Sequence, residues 1–240
     1  MWKTAGEVLQ DAAVELGLAE PSNPFASTDA SIRQLVRLLK SAGAELVRRH
    51  NWSHLQQAVS ITTSAGVSTY EMPVDFNRHI DQTQWNRTTQ FPLGGPISPQ
   101  GWQLLKAVDA AATIAPFFRP VGRRIQFYPT PTAEEDVVLE YISNYWVQVE
   151  LGGDIPDADQ PTASDNILWF DAHLLTRALK VKWQEAKGFD STAARNDYEV
   201  ALSSVISGDG AAPVLRLDQQ PLGRWRSIDA LNLPDTGVGS

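Results

Sequence analysis

Apolar residues recur at helical spacing at both ends of the chain and at strand spacing through its middle. Near the start, Val8, Leu9, Ala12, Ala13 and Leu16 keep one helical face, and Thr4 with Glu7 makes a capping box. The pattern predicts a helix over 4–18. The stretch GLAEPSNPFAS breaks it with a glycine and two prolines. A second helix is predicted over about 29–50, with Ile32, Leu35, Val36, Leu39, Leu46 and Val47 on one stripe. Arg33, Arg37 and Lys40 lie on the opposite face and read as a solvated surface.

From residue 55 the period becomes two. Val59, Ile61 and Thr63 alternate, and Gly66 turns the chain into Val67–Met72, which predicts a hairpin ended by Pro73. A further strand is expected within 79–88, and a short helix capped by Ser98 over 98–108. Phe117–Pro120 and Arg123–Tyr128 flank a Val-Gly turn, and Ile125 and Phe127 share a face. Asp136–Val147 reads as one long strand with Leu139, Tyr141, Tyr145 and Val147 on one side. An acidic loop over 148–165 follows. Asp165 is then the expected cap of a helix closed by Gly188, and Asp190 the expected cap of another, with Ala194, Tyr198, Ala201, Leu202 and Val205 on one face. After Gly208 the periodicity stops and the remaining residues are expected to be extended.

Helices at the two ends can pack on one another, which leaves the β region as an insertion. The expected fold class is α+β: a helical bundle from 1–54 and 164–208, an inserted antiparallel β module over 55–163, and an extended C-terminal arm over 209–240.

Composition narrows the function. The 240 residues are 42% hydrophobic and 20% charged, as in ordinary globular proteins. No apolar run approaches the roughly 20 residues that span a bilayer, and the N-terminus carries acids where a signal peptide needs a basic segment. No membrane partner is expected. With no cysteine, disulfides, thiolate metal sites and cysteine nucleophiles are excluded. A net charge of −8 argues against a protein that grips DNA phosphates.

Candidate chemistry is sparse. His50, His54, His79 and His173 fit no zinc-binding pattern, and no Gly-x-Ser-x-Gly elbow is present. His79 and Asp81 lie two apart without a serine placed as a third member. GGDIPDAD, residues 152–159, lacks the glycine and closing glutamate of a calcium loop and reads as a flexible acidic segment. No metal, cofactor or catalytic residue is predicted. Of the eight tryptophans, Trp52, Trp146, Trp169 and Trp183 sit in periodic elements and suit a core, whereas Trp85, Trp102 and Trp225 lie in loops or beside Pro, Gly and Arg. Tryptophan and arginine anchor protein interfaces. An alternative is a carbohydrate-binding or tail-fibre-associated module that uses exposed tryptophans. A hydrolase with paired carboxylates ranks last, because no acid pair has a defined spacing on a rigid element.

Several stretches, in order, carry a resemblance. ELVRRHNWSHL precedes STYEMPVDFNRHI, then WNRTTQFPLGGPISPQGW and GRRIQFYPTPTAEEDVVLEYISNYWV. Trp52 follows the second helix; Tyr70, Pro73, Asp75 and Phe76 make a Y-x-x-P-x-D-F step; Ile125, Phe127 and Pro129 make an I-x-F-x-P strand. Together they resemble the head-to-tail adaptor (connector) proteins of tailed bacteriophages, especially the tail tubular protein A-like adaptors of short-tailed phages. The family commonly has Pro-Trp-Asn-Phe where this chain has Asn51-Trp52-Ser53-His54.

The resemblance implies a virion structural protein and not an enzyme, made in the host cytoplasm. It implies a homo-oligomeric ring, typically twelve-fold, beneath the portal protein. The genomic DNA passes through without sequence-specific binding, and tail nozzle or tail fibre proteins dock below. An acidic inner wall would let DNA slide, and the loop 149–159 is a candidate for it. On this reading FNRHIDQTQWNRTT, residues 76–89, belongs to an interface: Arg78, His79, Asp81, Trp85 and Arg87, with Trp102, are the expected contacts to another subunit or a tail protein. The C-terminal arm is the expected portal-binding element, through Leu215, Arg216, Leu217, Leu222, Arg224, Trp225, Arg226 and Ile228.

Overall fold

The structure, a computed structural model, describes residues 2–107, 116–150, 153 and 155–209. Its first helix, α1 (Ala5–Glu15), starts with the predicted capping box: the Thr4 hydroxyl accepts from the Glu7 amide, and the Glu7 carboxylate accepts from the Thr4 amide at 2.9 Å. Helix α2 (Ala30–Arg49) is capped by Asp29, whose carboxylate accepts from the Ser31 and Ile32 amides. Its predicted stripe is buried, with Val36 packed at the edge.

The chain then enters the sheets. Strand β1 (Gln56–Thr62) is followed by β2 (Thr69–Glu71), β3 (Phe76–His79), β4 (Trp85–Asn86), β5 (Phe91–Pro92) and helix α3 (Pro99–Ala107). After these come β6 (Phe117–Val121), β7 (Arg124–Tyr128), β8 (Asp136–Ser143), β9 (Val147–Gln148) and β10 (Ile167–Leu168). Helices α4 (Ala172–Lys187) and α5 (Thr192–Asp209) close the described chain. The order confirms an α+β fold, with α4 packed on α1, α2 and α5. The arm beyond residue 209 lies outside the described residues.

Four local expectations need correction. First, β1 and β2 are not a hairpin. Gly66 does turn the chain, at φ 81°, but β1 pairs antiparallel with β8 over seven positions, from Gln56 opposite Ile142 to Thr62 opposite Asp136. Strand β2 joins β7 and β6 in a separate sheet. The long partner satisfies far more backbone groups than the three-residue β2 offers. Thr63 seals the choice by donating its amide to the Glu135 carbonyl at 2.8 Å. The Tyr70 hydroxyl meanwhile holds the 64–67 turn, accepting from the Ser64 amide and donating to the Val67 carbonyl.

Second, 79–88 is not one strand: β3 and β4 both pair with β8, separated by a turn in which Gln82 has φ 65°. Third, the long strand stops at Ser143. The Asn144 amide donates to the Asp75 carbonyl and the Tyr145 amide to the Ser143 hydroxyl, so the alternation breaks and Tyr145 leaves the buried face. Fourth, α4 begins at Ala172 with Asp171 as its cap, not at Asp165. Asn166 is occupied as an acceptor from the Thr162 and Ala163 amides, and Ile167–Leu168 is held as a strand against β9.

Buried apolar residues form two clusters. One gathers the four long helices with Trp52, Leu55, Ile142, Trp146, Val147, Leu168 and Phe170. The other lies in the sheets, with Ile61, Phe118, Ile125, Phe127, Val137, Leu139 and Tyr141 among its members. Strand β8 therefore supplies side chains to both. Where the first cluster meets α2, Trp146 lies flat over Gly43, and a Cβ at that glycine would stand 2.1 Å from the indole. Close approach of a ring to a helix backbone requires glycine there.

Candidate functional site

The stretch FNRHIDQTQWNRTT runs along β3, around the Gln82 turn and into β4. It lies on the edge of β8, and its side chains divide between inward and outward roles. Arg78 faces inward. Its guanidinium donates to the Val47 carbonyl at 3.1 Å, the His50 carbonyl at 2.6 Å and the Asn51 side-chain oxygen at 2.8 Å. Those carbonyls belong to the end of α2, where the helix leaves acceptors unpaired and its dipole favours a cation. Burial lowers the Arg78 pKa from the ordinary guanidinium value, and the side chain stays charged. Arg78 thus pins the sheet to the helix.

Trp102 is held within the module by different contacts. It is 1% exposed on α3, with the Arg119 guanidinium 4.5 Å from its ring centroid and Tyr128 edge-on at 5.9 Å. It fastens α3 to the three-stranded sheet by burial and a cation–π contact.

The outward set is smaller. His79 places Nε2 3.2 Å from the Asp81 carboxylate while its ring edge meets Phe118, and the Asp81 side chain is 75% exposed. Trp85 is half-buried, and Arg87 is exposed with its amide tied to the Asp136 carbonyl. His79 stands opposite Tyr141 and Trp85 opposite Val138 on β8, so the two side chains leave opposite faces of the sheet, with the exposed Asp81 on the turn between their strands. The predicted arm residues, Leu215, Arg216, Leu217, Leu222, Arg224, Trp225, Arg226 and Ile228, lie outside the described residues.

Two polar centres had no signal in spacing. In one, the Tyr141 hydroxyl donates to the Asp75 carboxylate at 3.0 Å, which joins the Y-x-x-P-x-D-F step to β8. Burial first, and the Asp75 charge second, push the Tyr141 pKa well above the phenol value. In the other, Asp209 at the end of α5 reaches back to the segment after α2. Its carboxylate accepts from the Ser53 amide at 2.9 Å and the Ser53 hydroxyl at 2.7 Å, with His50 Nε2 at 3.4 Å and His54 Nδ1 at 3.7 Å. An acid at a helix C-terminus opposes the dipole, and these donors compensate it. Burial lowers the His54 pKa, and Asp209 opposes the shift. Only the aromatic Asn51-Trp52-Ser53-His54 turn hinted at this centre.

Neither centre is arranged for catalysis. Ser53 bonds the carboxylate directly, so no imidazole stands as base to its hydroxyl. Among the described residues no group of three or more His, Cys, Asp or Glu side chains is placed to hold a metal ion. In the acidic loop, Asp157 accepts from the Val149 and Glu150 amides and so closes its own turn. Trp52, Trp102, Trp146, Trp169 and Trp183 are buried, and the exposed Trp2 stacks on Trp169 at 4.3 Å, so no row of open indole faces exists among the described residues for a sugar to stack on. No helix among them is long and apolar enough to cross a membrane.

No curated protein matches the chain. A family model does: that of the SU10 adaptor protein, over residues 3–216, which takes in every helix and strand described above. With its α+β fold and a match across nearly its whole length, the chain belongs to the SU10 adaptor protein family, a family of bacteriophage structural adaptors.

Proposed function

We propose that the protein is a head-to-tail adaptor: a ring of identical subunits, twelve in the expected case, seated beneath the portal protein of a bacteriophage virion. The ring extends the DNA channel and offers a platform to tail nozzle or tail fibre proteins. The observation that carries this reading is the family match over residues 3–216. On this proposal the role is mechanical and not enzymatic, and DNA passes through without being read. The helices of 1–54 and 164–208 form the ring body, and the β module of 55–163 displays His79, Asp81, Trp85 and Arg87 to a neighbour or tail protein. The arm, with its Leu and Arg residues from Leu215 to Ile228, docks on the portal. A glycan-binding role is disfavoured by the burial of Trp52, Trp102, Trp146, Trp169 and Trp183.

The test is the solution mass of the purified protein, alone and mixed with a portal ring of the same phage. A multi-copy complex on the portal is expected. A chain truncated after Gly210 keeps Asp209 and its bonds to Ser53, so it should retain the fold and lose portal binding. A full-length protein that ignores the portal ring refutes the adaptor role. A truncated one that binds normally refutes only the role of the arm.

A further inference from the structure

Helix α2 presents a row of cations that the described residues leave unpaired. Arg33, Arg37, Lys40 and Arg48 fall within an arc of about 80° at 3.6 residues per turn, and they extend about 22 Å along the axis at ~1.5 Å per residue. Arg33, Arg37 and Arg48 are exposed and Lys40 is partly so. Among the described residues none of the four makes an ion pair or a side-chain hydrogen bond. Nearby cations do: Arg49 lies against Glu45 and Glu199, Lys182 against Glu45, Arg177 against Asp197, and Arg195 against Glu185. Acids are in surplus, 28 against 20 Lys and Arg, so an unpaired row of cations is not a shortage of acids. Arg33 and Arg37 also stand four apart, a like-charge spacing that weakens a helix on its own.

The complement lies on the same molecule. On α1, Glu7, Asp11 and Glu15 follow the same four-residue pitch and are exposed, with Val14 59% exposed beside them. Asp11, Glu15 and Glu20 line a groove of about 620 Å³ between α1 and the start of α4, opposite His173. Lys3 is already bound to Asp11 at 2.7 Å, whereas among the described residues Glu15 and Glu20 have no ion-pair or side-chain hydrogen-bond partner. A basic row and an acidic groove on different helices of one subunit are what a head-to-tail contact between identical copies requires, and such contacts close into rings when the rotation allows.

We propose that the α2 row of one copy docks onto the α1 face and groove of the next, and that this contact builds the ring. The inference deepens the adaptor reading and rests on its ring. A nucleic-acid partner is disfavoured, because a chain of net charge −8 repels phosphates away from the row.

The experiment compares the wild type with two reversal variants, Arg33→Glu with Arg37→Glu, and Glu15→Arg with Glu20→Arg. Circular dichroism checks that each folds. Sedimentation velocity then reads mass against concentration at low salt, alone and with a portal ring. The wild type is expected to associate, and each variant to associate at least ~tenfold more weakly, a change of about 1.4 kcal/mol. An equimolar mixture of the two variants should recover association, since each reversed row meets a reversed groove. Salt of about 1 M, where the screening length is about 3 Å, should weaken the wild-type contact. If wild type and variants associate alike, the surface is wrong and the ring stands. If the wild type stays monomeric even with the portal ring, the ring reading falls and this contact with it. If the first variant instead loses binding to duplex DNA while self-association is unchanged, the row is a phosphate-binding site and the proposal is overturned.

Discussion

Replacing Gly43 with alanine should destabilise the protein, although alanine is the better helix former. A Cβ at 43 would stand 2.1, 2.2 and 2.4 Å from Cζ2, Cη2 and Cε2 of Trp146. The indole has little freedom to retreat: it is fully buried, Nε1 donates to the Asp159 carbonyl at 2.5 Å, and its ring meets Phe170 at 5.8 Å. Overpacking costs about 1–3 kcal/mol, and with both partners held the upper end applies. Alanine returns about 1 kcal/mol of helix propensity. The net loss is about 2 kcal/mol, or a fall in Tm of about 4–8 °C for a chain of this size. Urea denaturation followed by far-UV circular dichroism measures it. The three contacted atoms belong to the six-membered ring of the indole, so Trp146→Phe withdraws them. In that background Gly43→Ala should cost little or stabilise by up to ~1 kcal/mol. If Gly43→Ala matches the wild type, or costs the same in both backgrounds, the wedge reasoning is wrong.

Arg78→Met should lose about 2 kcal/mol, because it leaves the Val47 and His50 carbonyls without their charged donor; urea midpoints of the purified variant check it. Tyr141 has a folded pKa above its unfolded value of about 10, so its contribution is complete below pH ~10 and drains away as pH rises past that value. Alkaline titration of stability should therefore fall less steeply in Tyr141→Phe. His54 is shifted the other way, so the folded state prefers it neutral, and stability should decline as pH falls below about 6.5. His54→Phe should flatten that decline, and an unchanged slope would place the titration elsewhere.

The helices were legible where local chemistry decides structure. The Thr4–Glu7 capping box, Asp29, the α2 stripe and Gly188 each act within a turn or two, and α1, α2 and the end of α4 follow from them. The β6–β7 hairpin was legible because its turn, at Gly122 with φ 61°, is local too. The partner of β1 was not, because it lies in β8 and no periodicity reports a pairing across that distance. The start of α4 is not legible because the apolar run around Leu168, Trp169 and Phe170 is buried on all sides, and such a run fits strand or helix equally. In the candidate surface, the exposed turn at Asp81 and Arg87 could be read from its polar character. The inward turn of Arg78 depends on where the end of α2 lies in space, and the Asp209–Ser53 bond joins residues 156 positions apart.

The chain crosses from helices to sheets on β1 and returns on β8, and these two crossings are neighbours bonded over seven positions. A module hung from one loose strand would swing. One held by two laced strands, clamped by Arg78 at its base and by Trp146 seated on Gly43, turns only when the helices turn. Close-packed interiors transmit strain instead of absorbing it. A twist applied to β3 or β8 is therefore passed to α2 through Arg78 and Trp146, as a spoke passes it to a hub.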